Sequence, residues 1–421
     1  MNILVAAPGL ARELTWAIVG LSVGGVILRP WGVREVIPAV AGAVALVVLG
    51  LLPVGAALRG VGQGTDVYLF LTGMMILAEL AADQGLFAWA AGWVAVLARG
   101  SAGRLFGMIY GMAVVVTVFL SNDATAVVFT PAVAAMVRAV GAKQPLPYLL
   151  ICAFVANAAS FVLPISNPAN LVVYGPALPA LVPWLWQFGP ASVVAIGATF
   201  LLLRFTQRRA LAQEIAVAVE RPELSVGGRH AGLGIAGTAV VLMGASALGL
   251  PLGLPTFVCG LATAVVVVLP GRLAPWPRVK NISWDVLPLV AGLFVMVAAL
   301  DRTGLVVGLS GWLRQAGGAA VWASGLGLGV LVNLVNNLPA GLLAGHALAL
   351  AQFSPKVSAA ALVGVDLGPN LSVTGSLATI LWLTALKRAG LHVTAWQFLR
   401  IGLVVMPPAL LAAVAVVWLY P

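Results

Sequence analysis

Between Leu105 and Val137 an otherwise apolar chain sets Ser121, Asn122, Asp123 and Thr125 almost side by side and then meets Pro131. An uninterrupted membrane helix has no use for such a cluster. In hydrocarbon every backbone N–H and C=O must be satisfied internally. Irregular backbone and polar side chains at membrane depth persist only where they are buried in protein or line a cavity. The stretch LSNDATAVVFTP, Leu120–Pro131, therefore reads as a helix broken at membrane depth and as half of a substrate site.

The rest of the chain supplies the membrane. Of 421 residues, 62% are hydrophobic and 8% charged, with a mean hydropathy of +1.09. That excludes a soluble domain and describes an all-α polytopic membrane protein. Forty-eight glycines and 26 prolines fit close helix packing and interrupted helices. The net charge of +10 does not indicate nucleic acid, because the basic residues sit singly or in pairs at the ends of apolar runs. Cys152 and Cys259 lie in separate apolar segments, so neither a disulfide nor a metal site is expected. Nothing resembles a Walker A loop, an HExxH helix or a nucleophile motif, so no enzyme, cofactor or metal is implied. The first residues carry no basic start and no cleavage site, and Arg12–Leu28 reads as a first span.

Apolar runs follow at Val36–Leu58, Asp66–Ala82 and, shorter, Leu86–Ala98. Leu105–Leu120 leads into the SNDA break and Ala124–Val137 leaves it. Pro147–Asn157 enters an irregular patch, Ala158–Asn170, that continues to Leu181, and Trp184–Phe205 closes this half. The second half runs Ala231–Leu250, Leu254–Leu269, Asp285–Leu300, a short Gly304–Leu313, then Val321–Val335 into Asn336 and Asn337, with Leu338–Leu350 after them. Val357–Asp366, an irregular Leu367–Gly375, Ser376–Leu386 and Trp396–Tyr420 finish it.

The halves match. Asp66, Gly73, Gly85 and Trp93 find Asp285, Gly292, Gly304 and Trp312 at a common offset of 219 positions. After a small slip, Asn122 faces Asn337, Asn157 faces Asp366, and SNPAN (Ser166–Asn170) faces GSLAT (Gly375–Thr379). Broken helices at matching places in two repeats are the sequence mark of a secondary transporter's binding site. The expected domains are a first repeat, 1–205, with an inner hairpin around 105–137 and a broken span 147–181; a cytoplasmic linker, 206–230; and a second repeat, 231–421, with an outer hairpin around 321–350 and a broken span 357–386. Basic residues set the sides: Arg99, Arg104, Arg138 and Lys143 flank the first hairpin, and only Arg302, Arg314 and Lys356 flank the second. The repeats are then inverted, with about ten crossings, two opposed re-entrant hairpins, two broken helices and both termini outside.

Two polar clusters can bind a small solute. The first is Ser121, Asn122 and Thr125 with Asn157, Ser166, Asn167 and Asn170. The second is Asn336 and Asn337 with Asn370, Ser372, Thr374, Ser376 and Thr379. Free N–H groups at half-helix starts and nearby hydroxyls and amides supply directional hydrogen bonds. Each of these side chains can also serve as a helix cap or as glue between spans. Asp123, Asp366 and, with a weaker claim, Glu79 lie inside apolar sequence, where an ionised carboxylate must be paired, facing water or neutralised. A group that loads a proton on one side and unloads it on the other has this character. No Lys or Arg lies in either cluster. His346 is expected to pack or face a cavity rather than bind.

At these motifs the sequence resembles the arsenical pump membrane proteins, ArsB-type arsenite/antimonite efflux transporters of the ion transporter superfamily. The resemblance is carried by SNDATAVVFTP, SNPANLVV, NNLPAGLLAG and above all VGVDLGPNLSVTGSLATILWL, and spans nearly the whole chain. It implies a multi-pass protein of the inner (plasma) membrane that exports arsenite or antimonite in exchange for protons, in some members with a cytosolic arsenite-stimulated ATPase. Arsenite near neutral pH is the uncharged trihydroxide, which hydroxyl and amide side chains suit. Recognition would be by hydrogen bonding or by one transient thiol, for which Cys152 is the candidate. The alternatives are a sodium-coupled carboxylate or other anion symporter of the same superfamily, and a channel or structural membrane component. Asp123 at the hairpin tip argues against an anion, which would meet like charge there.

Overall fold

The computed structural model describes residues 8–216, 223–269 and 275–420. The first residues of the chain, the middle of the expected linker (217–222) and Arg272 lie outside the described residues. Within them the chain is helical throughout, with one isolated antiparallel bridge between Ser101 and Glu214. Eight helices are long and apolar enough to cross a membrane, and five more are apolar but shorter. Large apolar side chains are exposed all round the body, Leu21, Leu28 and Val193 among them at more than 70%. In water such a surface would aggregate; in a bilayer it is the lipid-facing belt.

Sequence punctuation sets most boundaries. Leu86–Ala98 and Leu305–Gln315 each begin after a glycine with positive φ, Gly85 at 76° and Gly304 at 82°. These two stand at the same place in the two halves, and only glycine takes that conformation without strain. The expected single run Val36–Leu58 is instead two helices, Val36–Val48 and Val54–Gln63. Gly50 turns at φ 72° and Pro53 opens the second piece, so hydropathy alone overran a helix stop. The expected continuation of the broken span to Leu181 also fails. The half-helix Pro168–Tyr174 ends at Gly175, and a new helix, Leu181–Gln207, starts after the prolines.

The halves are interlocked. The Thr65–Asp83 helix packs on Gly253–Val268, which precedes the second half's matching helix. That helix, Val286–Arg302, packs on Val36–Val48, which precedes the first. Gly73 and Gly292 are the close-approach points. A Cβ on Gly73 would collide with the Thr256 carbonyl, and one on Gly292 would sit 2.9 Å from the Ala39 carbonyl oxygen. The broken spans cross over in the same way. Leu377–Arg388 packs on the helix after the first break, and Pro168–Tyr174 packs on Asn337–Ala351. The described start of the linker lies against the first break pair's flank: Ala216 N donates to Val140 O at 2.8 Å and Gln144 N to Gln213 Oε1 at 2.9 Å.

Candidate functional site

The first break is built locally. After Ala102–Phe119 the backbone goes extended at Ser121, whose Oγ accepts from Ala124 N at 3.2 Å to restart the helix. Asn122 Oδ1 accepts from Asp123 N at 2.8 Å. Thr125–Phe129 forms a π-turn directly before Pro131, which cannot donate to the preceding turn. The Thr130 hydroxyl bonds Thr125 O at 3.2 Å, and Thr125 Oγ1 meets Thr117 Oγ1 at 2.8 Å, tying the legs together.

The second break follows the same plan with other residues. Asn336 takes φ 72° and its side chain accepts from Leu338 N. Its Nδ2 donates to Thr374 O at 3.2 Å, and Asn337 N donates to Gly375 O at 2.9 Å. Asn333, which the sequence clusters omit, accepts from Ser372 Oγ at 2.8 Å through its side chain and from Thr374 Oγ1 at 2.8 Å through its carbonyl. It lies one helical turn before the Asn336–Asn337 pair, and that spacing was the available signal.

In the broken spans, Asn167 and Ser376 stand at matching places and each caps a restarting half-helix, accepting from Ala169 N and Ala378 N. Asn170 Nδ2 reaches three carbonyls of the irregular patch, Ser160, Leu163 and Pro164, at 2.9–3.2 Å. Ser166 Oγ donates to Val118 O at 3.1 Å, fastening the patch to the first break pair. Across the centre, Asn157 Nδ2 meets Asn370 Oδ1 at 3.0 Å and Thr379 Oγ1 at 3.4 Å, and Asn370 Nδ2 donates to Phe154 O at 3.0 Å. Asn167 Nδ2 donates to Asp366 Oδ1 at 2.8 Å. Asp366 is fully buried and its Oδ2 has no partner; Asn170 Oδ1 and Asn337 Oδ1 are likewise unpartnered. Asn170 and Asn336 spend their donors on carbonyls of the irregular segments, which is a packing task.

The predicted residues are thus not one constellation. Asn157, Asn167, Asp366, Asn370 and Thr379 form a buried cross-tie between the broken spans, and Asn170 closes the irregular patch of its own span. Asn336 and Asn337 form the second break and are tied to Thr374 and Gly375 of the second broken span, where Ser376 caps the restart. Ser121 and Asp123 face a cavity of about 80 Å³, and Glu79 lines the same cavity. Its walls come from Thr65–Asp83, the first break, Pro168, Leu381 and the stretch Asn281–Val286. Asn281 lines this cavity with Glu79, and Arg278 pairs with Asp83 at 2.7 Å. Asn281 and Ser283 were not foreseen, since they lie in a segment that reads as a loop. Among the described residues no Lys or Arg lines this cavity. The matching position to Asp123 in the second half is Leu338, which lines a pocket of about 10 Å³ with Leu289, Leu293, Asn336 and Leu377. One half therefore presents a carboxyl to an open cavity, and its twin presents a leucine to an almost closed one. Cys152 is fully buried in the core and lines neither. Among the described residues no group of three or more His, Cys, Asp or Glu side chains could hold a metal.

Residues 23–370 match the family described as CitMHS, citrate transporter. Among curated proteins, the chain is similar to an arsenical pump membrane protein of Escherichia coli strain K12, 26% identical over 420 residues, covering 96% of this chain and 97% of that one. It is similar to an arsenical pump membrane protein of Yersinia enterocolitica, 27% identical over 357 residues, covering 81% and 83%. A Mycobacterium tuberculosis protein described as an uncharacterized transporter is 27% identical over 407 residues, covering 92% and 94%. Among solved structures, the YdaH transporter of Alcanivorax borkumensis, described as having an unusual topology, superposes with a TM-score of 0.57 at 16% identity, covering 86% of this chain and 87% of that one. That likeness is one of fold.

Proposed function

Because the chain belongs to the CitMHS family, described as citrate transporter, and is a multi-pass membrane transporter, we propose that it exports a small uncharged hydroxylated solute, arsenite or antimonite as the trihydroxide, in exchange for protons. The observation that carries this reading is the lining of the Asp123 cavity. Two carboxyl side chains, Asp123 and Glu79, face it, with Ser121 and Ser283 as hydroxyls and, among the described residues, no Lys or Arg. A citrate-like anion there would meet like charge in a poorly screened space, whereas a neutral trihydroxide finds donors and acceptors. The similarity to arsenical pump membrane proteins over most of the chain supports the same solute.

In this reading Asp123 carries the exchanged proton at the cavity, with Glu79 between it and the face where Arg278 and Asp83 lie. Asp366 holds a second protonatable position in the cross-tie. The two break pairs act as opposed re-entrant hairpins, the first opening to the cytoplasm, in inverted repeats that exchange access. A cytosolic arsenite-stimulated ATPase, if one docks, would do so on the linker face.

A second reading, a sodium-coupled carboxylate symporter, is favoured by the family's description. Everted vesicles containing the protein separate the two. Arsenite accumulation driven by an acid interior, indifferent to sodium, is the expected result. Sodium-driven citrate or succinate movement without arsenite accumulation would replace the first reading with the second.

A further inference from the structure

We propose that the cavity at the opposite end of the Thr65–Asp83 helix is the far-side vestibule of the same pathway, a site for the hydroxylated solute, closed from the Asp123 cavity by an apolar plug about one helical turn thick. Only the identity of the solute rests on the functional reading above. This second cavity, about 230 Å³, is lined by Gln63, Asp66, Ser246 and the turn after Pro168–Tyr174. Ser246 is 3% exposed and, among the described residues, its Oγ has no hydrogen-bond partner. A buried hydroxyl at a cavity wall with unspent donor and acceptor capacity is a binding group waiting for a polar ligand. Asp66 Oδ1 accepts from Gly253 N at 2.8 Å, which fixes this carboxylate at the start of Gly253–Val268 as part of the wall.

The two cavities share their walls. On the Thr65–Asp83 helix, Val67 lines the far cavity, and Phe70 and Leu71, on the next turn, line the Asp123 cavity. On the half-helix packed against it, Pro168 lines the Asp123 cavity and Leu171 the far one. Val67, Phe70, Leu71 and Leu171, where the two linings meet, are all buried. One turn of α-helix rises about 5.4 Å, so the barrier is thin compared with a hydrocarbon core of about 30 Å. Thr65–Asp83 is long enough to cross the membrane, so its ends lie at opposite faces. The Asp123 cavity reaches Glu79 and Asn281 near one end, and the far cavity reaches Gln63 beyond the other. Two polar mouths on opposite faces, interrupted by a single apolar turn, make a route for a small neutral solute. Asp66 at the far mouth discourages anions from returning.

The test uses the full chain with both native cysteines replaced. Ser246→Cys and Ser283→Cys are probed separately in right-side-out and inside-out vesicles with a small membrane-impermeant thiol reagent. Ser246→Cys should react from one face only and Ser283→Cys from the other only. Labelling of both from the same face, or of Ser246→Cys from neither, would overturn the vestibule. Leu171→Ala, with Val67→Ala as a second plug variant, should let an imposed pH gradient across proteoliposomes decay several-fold faster without solute. Unchanged decay in both, with the proteins folded by gel filtration, would overturn the plug. Absence of arsenite transport in the parent protein would remove the solute's identity and leave these readouts to decide the pathway.

Discussion

Asn167 donates to Asp366 across 199 positions of sequence at 2.8 Å, so the restart of one broken span is held to the end of the other half's first piece. The partner oxygen of Asp366 is buried and unpaired. The two oxygens of one carboxyl are therefore placed differently: one ties the two broken spans together, and the other is buried with no partner among the described residues.

Substitutions at Asp366 should separate those tasks. Asp366→Asn keeps an acceptor for Asn167, so the protein should fold and melt near the parent temperature while proton-driven accumulation is lost. Asp366→Leu strands the Asn167 amide in a dry interior and should destabilise by about 1–3 kcal/mol. Melting of the purified protein in detergent, read beside vesicle transport, checks both. Full proton coupling in Asp366→Asn would move the coupling site elsewhere.

Asp123 should behave in the opposite sense. No described residue hydrogen-bonds its carboxylate, and it faces a cavity. Asp123→Asn should change stability by less than about 0.5 kcal/mol, as substitutions that break no buried contact do. It should still let arsenite equilibrate across the vesicle membrane but not accumulate against a gradient. Accumulation that responds to the pH gradient as in the parent would exclude Asp123 as the coupling group.

The Asn157 tie is structural in its geometry. Asn157→Ala removes the donor to Asn370 Oδ1 and Thr379 Oγ1 and leaves those acceptors buried. A loss of about 1–3 kcal/mol is expected. Thermal melting with Asn370→Ala and the double variant closes a cycle, and clear non-additivity is the expected signature of direct contact. Strict additivity would mean that the two amides act independently.

The crossover packing can be tested at glycines. A Cβ on Gly345 would meet the Val173 carbonyl oxygen at 2.6 Å, whereas one on Gly327 finds nothing within 4 Å. Gly345→Val should destabilise by about 1–3 kcal/mol through overpacking, and Gly327→Ala should be neutral or better. Equal melting temperatures for the pair would show that the half-helix Pro168–Tyr174 does not press on Asn337–Ala351 as described.

Much of the architecture was legible because local chemistry carries it. Gly85 and Gly304 mark helix starts, the apolar run Leu86–Ala98 is a helix with those bounds, and Ser121, Asn167, Asn336 and Ser376 are caps where the breaks were expected. Val36–Leu58 misled because hydropathy continues through Pro53 although the helix does not. The site was less legible. The polar positions read as two binding clusters are divided among caps of the breaks, a cross-tie between the broken spans and a cavity wall, and Asn333, Asn281 and Ser283 join only through neighbours distant in the chain.

By itself the sequence determined an all-helical membrane protein, with helix breaks at fixed places and carboxyls that no lipid-facing helix would keep. Those properties follow from residue type and spacing, since hydrocarbon forbids unsatisfied backbone and proline and glycine break helices locally. Only the tertiary structure decided that Asp123 faces an open cavity beside Glu79 while Asp366 is sealed against Asn167. Two carboxyls in similar apolar surroundings along the chain differ because burial is set by what packs against them from the other half, and that packing is a property of the fold.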